Sequence, residues 1–360
     1  MRPLTLLALL AGSSWACATV CAAQLERPQL VRLSVPGGRL QAYIAPAHGA
    51  DLAGIELRHD GQWLELLYRG RDYRPMPGWT GKAPILWPAV GRNFPYPAGS
   101  GHPAGLGWIL HGTVYPLPIH GFARDRIWKV VRRGSCDGSA FLTLALGDDA
   151  QTRRMYPFGF TITTEYRLWR NALYIRQMVR ASRSNHEPMP FSIGNHITFR
   201  IPLLPGADSG ETTVSSPATE QVITDDSGRP TGQVVAASYG KPRLLSSLRP
   251  LTPVSLAGYP PGQEWVRLED RSGFAVIVAH SEERQPGGTP VLFNLWGDPR
   301  HGYFATEPWV GKQNSLASGD GIIALAPGKT YRWTVEVRVP TLVDAPVAPT
   351  AAQSVPTCLR

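Results

Sequence analysis

The stretch YRWTVEVRV at 331–339 alternates without a break: Tyr331, Trp333, Val335, Val337 and Val339 against Arg332, Thr334, Glu336 and Arg338. Successive side chains of a strand point to opposite faces, so this period of two predicts a β-strand with one face in a core. FTITTEYRL at 160–168 repeats it, with Phe160, Ile162, Tyr166 and Leu168 on one side and Thr161, Thr163, Glu165 and Arg167 on the other. Further strand-like runs occupy 29–35, 39–45, 126–132, 140–146, 173–181, 265–269, 274–280 and 290–296. Turn signals part them, among them Pro36-Gly37-Gly38, Asp60-Gly61, Asp137-Gly138, Ser272-Gly273 and Pro327-Gly328. No stretch longer than about three turns carries helical periodicity. The pattern predicts an all-β fold, a sandwich or a barrel.

The chain of 360 residues is 43% hydrophobic, ample for a large core. Residues 1–23 (MRPLTLLALLAGSSWACATVCAA) place one early charge, Arg2, before an apolar run and then small residues, the layout of a secretory signal peptide. That run is too short to span a bilayer as an anchor. The expectation is an exported protein, periplasmic or extracellular, without stable membrane insertion. Residues 24–339 read as a single domain, and 340–360 as a flexible tail rich in Pro and Ala. Cys136 and Cys358 remain after the signal and could pair in an oxidising compartment. Net charge is +9, but the arginines are scattered and no basic run occurs, which argues for a solvated surface rather than a nucleic-acid interface. Residues 94–107 (FPYPAGSGHPAGLG) predict a long loop of the kind that carries function.

Three phrases bear the chemistry: HGFARD at 120–125, FSIGNHITF at 191–199 and YFATEPWVG at 303–311. None of the nine histidines forms HxH or HExxH or pairs with nearby cysteines, so a metal site is not indicated. A GxSxG elbow, a P-loop and a GxGxxG motif opening a helix are all missing, which excludes the common serine-hydrolase and nucleotide signatures. His196 follows an apolar strand and suits either a core histidine or a general acid, since imidazole titrates near neutrality. Glu307 lies among aromatics on an interior strand, where a carboxylate needs an arginine partner or a raised pKa; the second is what a general base requires. In HGFARD, Gly121 allows a tight turn, and Arg124 and Asp125 could pair with neighbours and hold that turn. Arg92 precedes the long loop, where a guanidinium can donate several hydrogen bonds to hydroxyls. Trp87, Trp296 and Trp309 stand close to these motifs, either as core or as faces for a sugar ring.

Taken in order, PILWPAVGR (84–92), YPLPIHGFARD (115–125), FSIGNHITF (191–199), LFNLW (292–296), EPWVG (307–311) and LAPGKTYRW (325–333) resemble the aldose 1-epimerase (galactose mutarotase-like) family, in its broader branch that includes glucose-6-phosphate 1-epimerase-like proteins. The resemblance covers roughly residues 30–339 and implies a large antiparallel β-sandwich, the galactose mutarotase-like supersandwich. It implies interconversion of the α and β anomers of a hexose or related aldose. Glu307 falls at the position of the catalytic base and His196 at that of the acid. Arg92, His120, Arg124 and Trp296 fall at or beside sugar-binding positions, and neither cofactor nor metal is implied. The sequence departs from the family after Arg92, where Asn93-Phe94-Pro95 follows. It also lacks a confident match for a middle-segment aspartate, although Asp225 and Asp226 lie in that region. Export favours a free or polymer-linked sugar over a sugar phosphate. The alternatives are a non-catalytic carbohydrate-binding protein on the same fold and a polysaccharide hydrolase or lyase on the same sandwich.

Overall fold

Two large antiparallel sheets form the body of the protein, each built from strands distant in sequence. The structure is a computed structural model and describes residues 29–73, 81–102, 105–282 and 289–340. The nine-stranded sheet runs Arg243–Leu244, Thr213–Ser215, Trp265–Glu269, Ala275–Glu282, Thr330–Arg338, Ala172–Ala181, Phe160–Trp169, Ser139–Gly147 and Lys129–Cys136. The second sheet runs Pro230–Ala236, Glu220–Thr224, Val254–Ala257, Val291–Asp298, Tyr303–Val310, Ile193–Asn195 and Ile85–Leu86, and Ile197–Arg200 also pairs with Tyr303–Val310. A four-stranded N-terminal sheet, from Val31–Ser34 to Gln62–Glu65, packs into the same core. Among the described residues the only α-helices are the short Ala150–Arg153 and Ser315–Ser318. No helix there is long and apolar enough to cross a membrane.

The fold is thus the expected all-β sandwich. Tyr331, Trp333, Val335 and Val337 are buried, and Thr330–Arg338 sits at the centre of the nine-stranded sheet between Ala275–Glu282 and Ala172–Ala181. The two sheets meet through side chains of their inner faces. The Phe293 ring lies edge-on to His280 at 4.8 Å, and the Gln177 amide donates to Asn195 Oδ1 at 2.9 Å. One residue departs from its expected environment. Arg167 lies on the polar face of Phe160–Trp169 yet is buried, because Phe141 stacks under its guanidinium and Glu165 and Ser139 take its hydrogen bonds.

Residues 1–23, read above as a signal peptide, and those beyond Pro340, read as a tail, lie outside the described residues, as does Cys358; Cys136 is disulfide-bonded. Residues 94–102 and 105–106 carry no regular secondary structure, in keeping with the predicted loop.

Adjacent positions on one strand give a direct check of the layering. Ile162→Ala is expected to cost about 2–5 kcal/mol by opening a cavity in the core. Thr161→Ala, on the exposed face, should stay within about 0.5 kcal/mol of the parent. Urea unfolding of both variants measures the difference.

Candidate active site

Strand Tyr303–Val310 lies in the interior of its sheet and is buried along almost its whole length. Its neighbour Val291–Asp298 places Asn294 directly opposite Glu307, and the next strand places Ser255 opposite Asn294. On the other side Gly194 pairs with Trp309 and Ile197 with Thr306, a register that sets His196 across from Glu307. The strand is interrupted there, beside Pro308, which has no N–H to give to the ladder. Ser255, Asn294, Glu307 and His196 therefore form one row across four strand positions.

Side-chain bonds run along that row. The Ser255 hydroxyl donates to Asn294 Oδ1 at 3.1 Å, and Asn294 Nδ2 donates to Glu307 Oε1 at 2.9 Å. His196 Nε2 stands 3.5 Å from the same carboxylate oxygen, while its Nδ1 lies 3.1 Å from Thr198 Oγ1. Glu307 Oε2 is buried and has no protein hydrogen-bond partner, which leaves it available to a ligand.

His120 reaches the row from a different part of the chain. Its N–H donates to the Gly91 carbonyl at 2.8 Å, and the Gly91 N–H donates back to His120 Nδ1 at 3.0 Å. A ring nitrogen that accepts an N–H carries no proton, so the neutral ring holds its proton on Nε2 and acts there as a donor. The turn behind it needs Gly121, as expected: φ is +71° and a Cβ would drive into the Trp87 carbonyl. Gly194 has a comparable role, since a Cβ there would come within 2.6 Å of the Trp309 indole. Without that Cβ the indole lies over the strand and meets the His120 ring at 6.2 Å, and His120 stands at 5.6 Å from His196.

The electrostatics follow from burial. Glu307 is pushed up to about 8 by desolvation; the Asn294 hydrogen bond and, less, the Trp309 indole pull the other way. Trp309 Nε1 makes no well-formed hydrogen bond, so its effect on Glu307 is that of a nearby N–H dipole. Desolvation also lowers His196 to about 3, its own backbone carbonyl opposing and the Arg124 charge assisting. His120 is held well below the usual histidine range by desolvation, then by His196, Arg124 and Arg92. At neutral pH both imidazoles are uncharged and the shared proton rests on Glu307.

His120, His196 and Glu307 offer ligand atoms all within 4.8 Å of one another, close enough to grip a metal. Ligation by His120 Nε2 would move its proton to Nδ1 and break the bond from Gly91, so the set suits proton handling better.

Four of the six candidate residues meet directly: Glu307, His196, His120 and Trp296, whose ring lies 5.9 Å from His196. Arg124 is partly exposed and 3.8 Å from Asp125, while its charge also bears on both histidines. Arg92 is exposed, next to Gly91 and close to Gly228, whose carbonyl accepts from Gln313 of a separate loop. Trp87 is core, ringed by Phe122, Tyr156, Phe160 and Phe191. Asp225 is exposed and staples a turn through Ser227 and Arg229.

The family pattern described as aldose 1-epimerase matches residues 40–254, more than half of the chain. The chain belongs to the aldose 1-epimerase family. The matched segment holds Arg92, His120, Arg124 and His196, with Glu307 and Trp296 beyond its end. Solved structures extend the likeness over nearly the whole fold. The Slr1438 protein from Synechocystis is 25% identical with a TM-score of 0.69, covering 88% of this chain and 97% of that one. A galactose mutarotase related enzyme from Lactobacillus acidophilus is 21% identical with a TM-score of 0.68, covering 88% and 99%, and speaks for the fold alone. A curated relative from Salmonella typhimurium, provisionally named glucose-6-phosphate 1-epimerase, is 28% identical over 93 residues, 25% of this chain and 31% of that protein.

The sequence reading does not single out Asn294, Ser255 or Thr198, although Asn294 stands inside the quoted LFNLW and Thr198 inside FSIGNHITF. An amide in a run otherwise apolar is the one signal that marks it.

Because folding raises the Glu307 pKa from its ordinary value of 4.5, that burial favours the native state only while the carboxyl keeps its proton. The contribution is complete below about pH 4.5 and is lost as pH rises through about 8. Glu307→Gln should therefore melt above the parent at about pH 9, with the advantage shrinking toward about pH 5. Calorimetric scans at both pH values measure it.

Proposed function

We propose that this family member is an aldose 1-epimerase, interconverting the α and β anomers of a hexose or related aldose. The observation that carries the proposal is the juxtaposition of Glu307 and His196 at 3.5 Å, buried, with one carboxylate oxygen open. Opening an aldose ring removes a proton from the anomeric hydroxyl and adds one to the ring oxygen. Both oxygens are bonded to C1, so the base and the acid must be neighbours.

In the forward half-reaction ionised Glu307 takes the anomeric proton, the C1–ring-oxygen bond breaks, and protonated His196 delivers its proton to that oxygen. The pair is left as neutral Glu307 and neutral His196, with the sugar as an open aldehyde. Rotation about C1–C2 presents the other face of the carbonyl. In closure the ring hydroxyl returns its proton to His196 as its oxygen attacks C1, and Glu307 returns its own to the new anomeric oxygen. Protons balance over the cycle and no cofactor enters. The resting pair matches the proton distribution of the open-chain stage, so turnover begins with transfer of one proton from Glu307 to His196 across their contact. Ligand hydroxyls donating to Oε2 favour that transfer by stabilising the carboxylate.

The remaining residues suit recognition. The His120 Nε2–H is placed to donate to a sugar oxygen, Trp296 offers an aromatic face, and Arg124 and Arg92 offer guanidinium donors toward the rim. The leader-like segment 1–23 supports export, and with it a free or polymer-linked sugar as substrate.

Polarimetry or NMR of freshly dissolved α-glucose and α-galactose tests the proposal. Equilibration should accelerate with the parent protein, and Glu307→Gln or His196→Ala should each reduce that rate by about 10²–10⁴-fold. Calorimetric binding with only the spontaneous rate across a broad sugar panel would turn the reading toward a carbohydrate-binding protein.

A further inference from the structure

We propose that the site continues past the catalytic pair into a second subsite, an aromatic surface formed by Trp296, Tyr303 and Tyr68, which holds the next unit of an oligosaccharide whose reducing end lies at Glu307 and His196. The inference deepens the epimerase reading and rests on it for the placement of the reducing end.

Strand register sets this surface beside the catalytic row. Ala305 lies two residues before Glu307, on the same face of Tyr303–Val310. Trp296 stands opposite Ala305 on one side and Thr198 on the other. Tyr68 follows beyond Thr198, its N–H donating to the Thr198 carbonyl at 2.9 Å. Tyr303 takes the next position on that face of the strand. Ala305 and Thr198 are small and fully buried, so three large rings border a floor of small side chains. The rings run on from the catalytic pair without a gap. His196 is 5.9 Å from Trp296, Trp296 is 5.8 Å from Tyr303, and Tyr303 is 4.9 Å from Tyr68. The last two pairs are tilted by 41° and 37°, so each ring covers its neighbour only in part, and all three stay half-buried.

The two ends of the site differ. Toward Trp309 the side chains are buried and the loops beyond bond to one another. The Asn314 N–H donates to the Arg92 carbonyl at 3.0 Å, the Phe94 N–H to Asn314 Oδ1 at 2.9 Å, and the Gln313 amide to the Gly228 carbonyl. Toward Tyr303 exposure rises instead, from buried Glu307 to half-buried Trp296 and Tyr303. Across the sheet the catalytic row continues through Ser255 to Val222, neither of which carries a ring. A sugar gripped at C1 and its ring oxygen therefore directs its far end toward the aromatic surface.

Length and chemistry select a second sugar unit as the occupant. Tyr303 is four residues from Glu307, about 13 Å along an extended strand, which is farther than one pyranose ring reaches. A monosaccharide at the pair meets Trp296 and stops short of Tyr303 and Tyr68. Sugars present C–H groups on their ring faces and hydroxyls at their edges. Aromatic rings suit the first and guanidinium donors the second. Both are here: the Arg69 guanidinium lies 5.4 Å from the Tyr68 ring centroid, Arg200 stands opposite Tyr303, and both arginines are exposed.

The test uses the full chain with glucose, cellobiose, maltose and gentiobiose, comparing calorimetric affinity and kcat/KM for anomer exchange followed by NMR. At least one disaccharide should bind and exchange about 10-fold better than glucose, the scale of one aromatic contact. Tyr303→Leu keeps an apolar side chain but removes the ring, and should return that ratio to parity. Tyr303→Phe keeps the ring and should keep the ratio. An equal loss for glucose and for the disaccharides in Tyr303→Leu overturns the subsite, because it marks a packing role. The subsite and the epimerase reading fail separately. Tighter disaccharide binding that depends on the Tyr303 ring, without any anomer exchange, supports the subsite and sinks only the epimerase reading. Accelerated exchange with no disaccharide favoured over glucose leaves the epimerase reading standing and overturns the subsite. Absence of binding by every probe overturns it as well.

Discussion

A carboxylate held inside a sheet, with one oxygen bonded and the other open, is the constraint around which this structure is arranged. Burial alone would keep Glu307 protonated and inert as a base. A strong counter-charge would keep it ionised and weaken its affinity for a proton. The structure moderates the first course: Glu307 still holds its proton at neutral pH, but a single amide hydrogen bond offsets part of the desolvation, and a second buried titratable group, His196, stands across the strand. Register makes this possible. Four residues from four places in the chain stand in one row because antiparallel pairing fixes neighbours at every position.

Close backbone approaches hold the rest of the site against that row. The reciprocal Gly91–His120 bonds join two loops at the level of the His120 imidazole. Gly121 seats the turn behind His120 against the Trp87 backbone, and Trp87 is anchored by an aromatic cluster in the core. A polar loop thus inherits its position from the hydrophobic interior, which is how a donor nitrogen can be placed tightly without a rigid element of its own.

The strands most legible in sequence were those with one face in the core and one in water. Thr330–Arg338 and Phe160–Trp169 lie within a residue or so of the stretches that alternation marks. Asp51–His59 and Tyr303–Val310 are buried on both faces over most of their length, so no polar residue marks the outward side and the period of two vanishes. Arg167 shows the converse: its spacing placed it on the correct face, but only the packing of Phe141 and Ser139 made that face dry.

By itself the sequence determined the layered all-β architecture, because alternation is a local consequence of strand geometry. It also determined the residue types able to move protons, and ordered motifs that resemble the aldose 1-epimerases. Only the tertiary structure decided which of those residues share a site and in what ionisation state. Distances between Ser255, Asn294, Glu307 and His196 are set by strand register, and their proton affinities by burial. Both are properties of packed neighbours, and no stretch of one strand contains its neighbours.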